Sequence, residues 1–291
     1  MSAIAQEVAT QPDCWRRAAE LAATLGGELA EPGQRVAVVG CGTSLYIARA
    51  FAALREASAR GETDAFPASE FPGARRYDRV VAISRSGTTT EVVHLLERFD
   101  RAPRTVVTAD TGSPAGSLAD ASIVLNFADE RSVVQTRFAT SALALLRAHL
   151  GEDLGRAIAD GERALAQPLD PEPGGFEHFV FLGHGWTVGI AEEAALKLKE
   201  ATRTYSEAYP AMEYRHGPIS LAGEGSLVWI LGSPDAAVAD DVASTGATVR
   251  VASLDPMAEL VIVHRMAIAL AGSKGLDPDH PVHLTRSVVL P

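Results

Sequence analysis

Three stretches of this 291-residue chain combine residue types that could do chemistry. The first, Ser84-Arg85-Ser86-Gly87-Thr88-Thr89-Thr90-Glu91, gathers five hydroxyls and one guanidinium. A phosphate monoester accepts from hydroxyls and backbone N–H groups, and arginine adds a charge-assisted, bidentate contact. Helix capping is the plain alternative, since Thr88-x-x-Glu91 has capping-box spacing. Capping accounts for one hydroxyl and the carboxylate, and leaves the other hydroxyls, Arg85 and Gly87 unexplained. The second stretch, Gly40-Cys41-Gly42-Thr43-Ser44, offers glycines for close backbone approach and a helix start that favours an anion. G-x-G alone is a weak signal, and the full G-x-G-x-x-G is absent, which disfavours a dinucleotide cofactor.

The third stretch runs from Glu192-Glu193 through Lys197, Lys199 and Glu200 to Glu207, Glu213 and His216-Gly217-Pro218. Glu193 and Lys197 are four apart and by themselves read as a solvated pair on a helix surface. His216 before Gly-Pro reads as an ordinary turn histidine. A carboxylate and an imidazole are nevertheless the two groups needed to move protons about a carbonyl. No metal site is expected: His280 and His283 are three apart without accompanying carboxylates or cysteines at ligand spacing. A G-x-S-x-G nucleophile elbow is missing too.

These stretches must be held by strands. RVAVVGCGTSLYIARAFA from Arg35 and HFVFLGHGWTVGIAEEAA from His178 share one grammar: an apolar run, G-x-G, then a helical pattern. Gly40 and Gly42 correspond to Gly183 and Gly185. RVVAIS from Arg79 parallels SLVWIL from Ser226, and RTVVTA from Arg104 parallels ATVRVA from Ala247. Apolar strands alternating with helices predict βαβ units, and ligands then sit beyond the carboxyl ends of the strands. The expected class is α/β, with two doubly wound domains, each a parallel sheet flanked by helices. The expected bounds are a helical arm at 1–31, a first domain at 32–165, a Pro/Gly-rich linker at 166–178 and a second domain at 179–291.

Composition narrows the classes. Hydrophobic residues at 47% and charged residues at 22% fit a folded globular chain. A formal net charge of −11 argues against a general nucleic-acid binder, whose surface must be basic. Only Cys14 and Cys41 are present, so no disulfide framework is expected and a reducing, cytoplasmic setting fits. The first residues carry no signal-peptide pattern, and no apolar run approaches a membrane span of roughly 18 residues.

Taken together and in this order, the strings EVATQP near the start, CGTS at Cys41, SEF at Ser69, SRSGTTTE at Ser84, ALKLKE at Ala195, EAY at Glu207 and RHGP at Arg215 resemble the sugar isomerase (SIS) family. The likeness is greatest to the isomerase half of glucosamine-6-phosphate synthase and to single-function relatives, and runs over almost the whole chain. It implies two SIS domains, a homodimer, no cofactor, and a sugar phosphate bound in the first domain. Cys41, Gly42, Thr43, Ser44, Ser84, Arg85, Ser86 and Thr89 then fall among positions that hold the sugar or its phosphate, as do Val133, Lys197 and Arg286. Glu200 matches the carboxylate that carries a proton between C1 and C2. His216 matches a ring-opening histidine supplied by the neighbouring subunit.

Three departures qualify the match. Arg85 stands where the synthase has glutamine. Ser2 follows Met1 where the synthase has a catalytic cysteine, so glutamine-dependent amination is not expected. Arg286 stands where the synthase has an imine-forming lysine, and a guanidinium stays protonated and cannot serve as an amine nucleophile. The implied function is isomerisation or deamination of a hexose or hexosamine 6-phosphate. Two alternatives stay open: a non-catalytic sugar-phosphate sensor, and a fructosamine-phosphate deglycase.

Overall fold

The structure is a computed structural model, and it describes residues 2–232 and 236–290. Its elements alternate strand and helix. The first half holds α1 (Ala3–Ala9), α2 (Gln11–Ala22), β1 (Val36–Gly40), α3 (Thr43–Ala57), β2 (Thr63–Pro67), β3 (Arg79–Ile83), α4 (Thr90–Arg98), β4 (Arg104–Thr108), α5 (Pro114–Leu118), β5 (Ala121–Val124) and α6 (Arg137–His149). The second holds α7 (Gly155–Ala166), β6 (His178–Gly183), α8 (Thr187–Thr202), β7 (Tyr205–Pro210), β8 (Ser226–Ile230), α9 (Ala236–Ala243), β9 (Thr248–Val251) and α10 (Pro256–Ser273).

All pairings in both sheets are parallel, in the orders β2-β1-β3-β4-β5 and β7-β6-β8-β9. The inner strands VAVVG, RVVAI and SLVWI are buried along their whole length, which is why they read as unbroken apolar runs. Each order reverses beside the strand that ends in G-x-G, so a crevice at the carboxyl ends opens next to that turn. The two G-x-G turns match in geometry: Gly42 and Gly185 have φ of 53° and 56°. A Cβ on Gly40 or Gly183 would lie 2.6 Å or 2.5 Å from the backbone carbonyl carbon of Ser44 or Thr187, so the helix can leave this close to the strand only over glycine.

Three strands carry no apolar run. β2 (TDAFP), β5 (ASIV) and β7 (YSEAYP) are edge strands with partly exposed residues, two of them ending in proline.

The chain divides into two compact units, and their bounds differ from the expected ones. The first-sheet unit comprises Asp13–Arg131, Gln135–Leu154 and Thr285–Pro291; the second-sheet unit comprises Met1–Pro12, Ser132–Val134 and Gly155–Leu284. The stretch at 166–178 is therefore not the division. α7 packs on α10 and goes with the second sheet, while the tail after Leu284 bonds to the first. In the first-sheet unit the core gathers Val39, Val80, Ala82, Val92, Leu96 and Val106. In the second, Leu182, Tyr214, Val228, Ile230, Val238 and Val242 form the corresponding cluster.

One expectation needs correcting. Among the described residues, α10 has the length and mean hydropathy (1.2) of a membrane span, contrary to the reading that no segment approaches one. It is 67% buried and packs on α7 and α8, which identifies the core helix of its unit.

Candidate functional site

In the first-sheet unit the hydroxyl-rich turn follows β3, beside the switch in strand order. Its backbone is pinned from β4: the Ala109 N–H and the Thr108 hydroxyl both donate to the Arg85 carbonyl, at 3.0 and 3.1 Å. Gly87 adopts φ +62° with its missing Cβ 2.2 Å from Ser113 Oγ, so no other residue fits the turn. The capping-box reading fails. The N-cap of α4 is Thr89, with no side-chain cap bond. Thr88 instead turns its hydroxyl to Ser86 Oγ (3.0 Å) and Ser287 Oγ (2.8 Å). Ser84, Arg85 and Ser86 are buried. The hydroxyls of Ser44 and Thr89 make no hydrogen bond among the described residues.

Arg85 does something the sequence did not suggest. It is 2% exposed, with Nη1 3.6 Å from Glu130 Oε2 and Nη2 donating to the Arg286 carbonyl at 2.9 Å. Glu130 is a hub. Its carboxylate accepts from the backbone N–H of Thr136 (2.6 Å), Arg137 (2.8 Å) and Phe138 (3.4 Å) at the start of α6, and from the Thr136 hydroxyl (2.8 Å). A carboxylate at a helix N-terminus also gains from the helix dipole. Arg286 donates to Asp129 Oδ1 (2.5 Å) and to the Glu130 carbonyl. The tail then runs along the turn: the Thr90 N–H donates to the Val288 carbonyl (3.1 Å) and the Leu290 N–H to Thr90 Oγ1 (2.9 Å). Cys41 is partly buried, and burial, followed by the nearby Glu91 charge, pushes its thiol upward.

In the second-sheet unit, Glu193, Lys197 and Glu200 fall at i, i+4 and i+7 of α8 and share one face. That face is buried, which overturns the reading of a solvated pair. Lys197 is 1% exposed, with Nζ 2.5 Å from Glu200 Oε2 and 3.4 Å from Glu193 Oε1. Glu200 is the member of the trio that retains exposure, at 20% of its side chain. His264 of α10, 1% exposed, takes a hydrogen bond on Nδ1 from Gln11 Nε2 (3.1 Å). Its Nε2 is buried without a partner. Burial, then the Lys197 charge, lowers its pKa to about 3, so the imidazole is neutral.

His216 ends a short 3-10 turn (Glu213–Arg215) and is exposed. No hydrogen bond joins it to Glu200 among the described residues. Val133 is partly buried, and its N–H donates to the Asp279 carbonyl (3.3 Å). Sequence reasoning missed Glu130, Asp129, Gln11 and His264. All four act through partners more than a turn away, and of them Gln11 alone lies inside a recognisable string, EVATQP. Among the described residues no His, Cys, Asp and Glu cluster could hold a metal ion.

No family model matches the chain. It is similar to the isomerizing glutamine–fructose-6-phosphate aminotransferase of Thermotoga maritima, at 26% identity over 90% of this chain and 53% of that one. The corresponding enzyme of Sulfolobus acidocaldarius matches at 28% over 88% and 50%. The chain thus spans about half the length of the curated relatives it matches. Among solved structures, glucosamine-6-phosphate deaminase of Thermotoga maritima superposes with a TM-score of 0.79 at 26% identity, covering 99% of this chain and 100% of that one.

Proposed function

We propose, starting from a chain of the sugar isomerase (SIS) family that resembles the isomerase half of glucosamine-6-phosphate synthase, that this protein isomerises or deaminates a hexose or hexosamine 6-phosphate. Both sheets are taken as doubly wound SIS domains. The observation that carries the reading is the buried Glu193–Lys197–Glu200 face, which leaves one partly exposed carboxylate 2.5 Å from an ammonium. A face built only for stability would gain more from apolar residues, because burying these charges is costly.

Glu200 takes the proton from C2 of the opened sugar and returns it to C1, through an enediol for a hexose and an enolamine for a hexosamine. Lys197 offers a positive charge where negative charge collects on the substrate. With an amine at C2, protonation at C1 leaves an imine that water hydrolyses to the ketose, releasing ammonia. His216 opens the ring, from the neighbouring subunit of a homodimer. Ser44, Ser84, Ser86 and Thr89, with the N–H groups of the turn, hold the phosphate. Arg85 holds the turn rather than the anion, since its guanidinium faces Glu130 and the tail. The full-length match to a glucosamine-6-phosphate deaminase supports a reaction that needs no glutaminase domain.

The test is incubation with glucosamine 6-phosphate and fructose 6-phosphate in deuterium oxide, following exchange at C1 and C2 by NMR. Exchange is expected, and Glu200→Gln should bind the sugar yet lower exchange about 10²–10⁴-fold. Binding without exchange in the unaltered protein identifies a sensor, and absence of binding removes the reading altogether.

A further inference from the structure

We infer that the first-sheet unit carries a second small-molecule site, between α4 and the turn after β2, that takes an aromatic acid bearing a hydroxyl or amine at its far end. The inference is independent of the phosphosugar reading, and all its residues lie within Asp13–Arg131. A cavity of about 400 Å³ opens between one face of α4 and the segment that leaves the short 3-10 turn Ala68–Glu70. That volume falls in the range of small-molecule sites, which begins at about 300 Å³. Its floor is apolar. Phe71 and Phe99 stand edge to face with ring centroids 5.4 Å apart, and with Leu95 they pack on the core of the unit. Arg101 closes one end by donating to the Gly73 carbonyl at 2.9 Å.

The polar groups are set out along one stripe of α4. Glu91, His94, Leu95 and Arg98 fall at i, i+3, i+4 and i+7, so they share the face that lines the cavity. Glu91 Oε2 is buried and accepts no hydrogen bond, while His94 and Arg98 make no hydrogen bond or ion pair among the described residues. An exposed arginine without a partner is ordinary. A carboxylate oxygen shut away from water without a donor is not, because it has lost its hydration and gained no bond in exchange. A hydroxyl or amine on a ligand supplies that bond. At the other end Arg98 and Arg101, on a chain of net charge −11, favour an anion. The helical rise sets Glu91 and Arg98 about 10 Å apart along the axis, the length of a para-substituted ring with a short acid chain. The apolar floor lies between them, where such a ring packs on Phe71.

The test is calorimetry on the full chain with three probes: para-hydroxyphenylpropionate, phenylpropionate, which lacks the donor, and para-propylphenol, which lacks the acid. The first is expected to bind with a Kd of about 1 mM or below, and each of the others at least about fivefold more weakly. Arg98→Glu, at an exposed position, should weaken both acids about fivefold or more and leave para-propylphenol within about twofold. Glu91→Leu should bring para-hydroxyphenylpropionate to within about twofold of phenylpropionate. If Glu91→Leu does not fold, Glu91→Gln, whose acceptor is neutral, should narrow the gap between the two acids by about half. No binding of the first probe at about 10 mM overturns the inference. So does equal affinity for the two acids in the unaltered protein, or unchanged affinity for them in Arg98→Glu. Each of these results leaves the phosphosugar reading standing, because none of the probes is a sugar or a phosphate.

Discussion

Replacing Glu130 by Gln should destabilise the first-sheet unit far more than replacing its partner Arg85 by Gln. The two side chains are 0% and 1% exposed, and their charged atoms lie 3.6 Å apart. At an effective dielectric constant of about 20, that separation is worth about 5 kcal/mol of attraction before desolvation is counted. Removing one member of such a pair costs about 3–5 kcal/mol, mostly from the charge left behind. In Glu130→Gln that stranded charge is the Arg85 guanidinium, and three backbone N–H groups of α6 also lose a carboxylate acceptor. About 4 kcal/mol is expected. In Arg85→Gln the remaining carboxylate keeps the α6 donors and the Thr136 hydroxyl, so about 1–2 kcal/mol is expected. The double variant should cost less than the two singles together. Trp15, buried in this unit with its N–H on Thr140 Oγ1 (2.8 Å), is a local reporter once Trp186 and Trp229 are replaced by Phe. With an m-value of about 2 kcal/mol/M, the urea midpoint followed by Trp15 fluorescence should fall about 2 M in Glu130→Gln. A shift under about 0.5 M, or strict additivity in the double variant, would refute the view of Glu130 as the counter-ion that holds the turn.

Gly87→Ala forces φ +62° on a residue with a Cβ placed 2.2 Å from Ser113 Oγ; stability should fall by more than about 2 kcal/mol and inorganic phosphate affinity by more than tenfold, measured by urea titration and calorimetry. His264 has a folded pKa of about 3 against an ordinary 6.5, so the unfolded chain binds the extra proton between those values and stability is lost as pH falls through that window. Between pH 7 and pH 5 the unaltered protein should lose about 2 kcal/mol more than His264→Gln, and equal losses in paired urea titrations would rule the effect out. Borohydride treatment with fructose 6-phosphate should leave the unaltered chain at its own mass, because Arg286 cannot form an imine; Arg286→Lys should gain a reduced sugar adduct, seen by mass spectrometry.

Much of the fold was legible because the inner strands of a parallel sheet are buried on both faces. VAVVG, RVVAI, HFVFLG and SLVWI announce themselves as apolar runs, and the paired G-x-G turns announced the internal repeat. What stayed hidden was polar or at an edge. β7 reads YSEAYP, with no apolar run and a terminal proline, so its composition carries no strand signal. The α8 face was misread because i, i+4 charge pairs on exposed and buried helices have the same spacing, and only the packing of α10 against α8 distinguishes them. The unit bounds followed hydrogen bonds from the last residues to the turn after β3, and spacing cannot reveal a partner two hundred positions away.

The two departures that the sequence presented as separate, Arg85 and Arg286, belong to one device. Arg85 donates to the backbone carbonyl of Arg286, and Arg286 donates to the backbone carbonyl of Glu130, whose carboxylate faces Arg85. Each arginine is thus held by an atom that the other's partner residue supplies. Replacing Arg85 removes the donor to the Arg286 carbonyl, and replacing Arg286 removes the donor to the carbonyl of Glu130, the residue whose carboxylate faces Arg85. The tail's path over Thr88 and Thr90 follows from this ring of contacts. On that account the Arg85 guanidinium supports the turn after β3 from behind, through Glu130 and the tail.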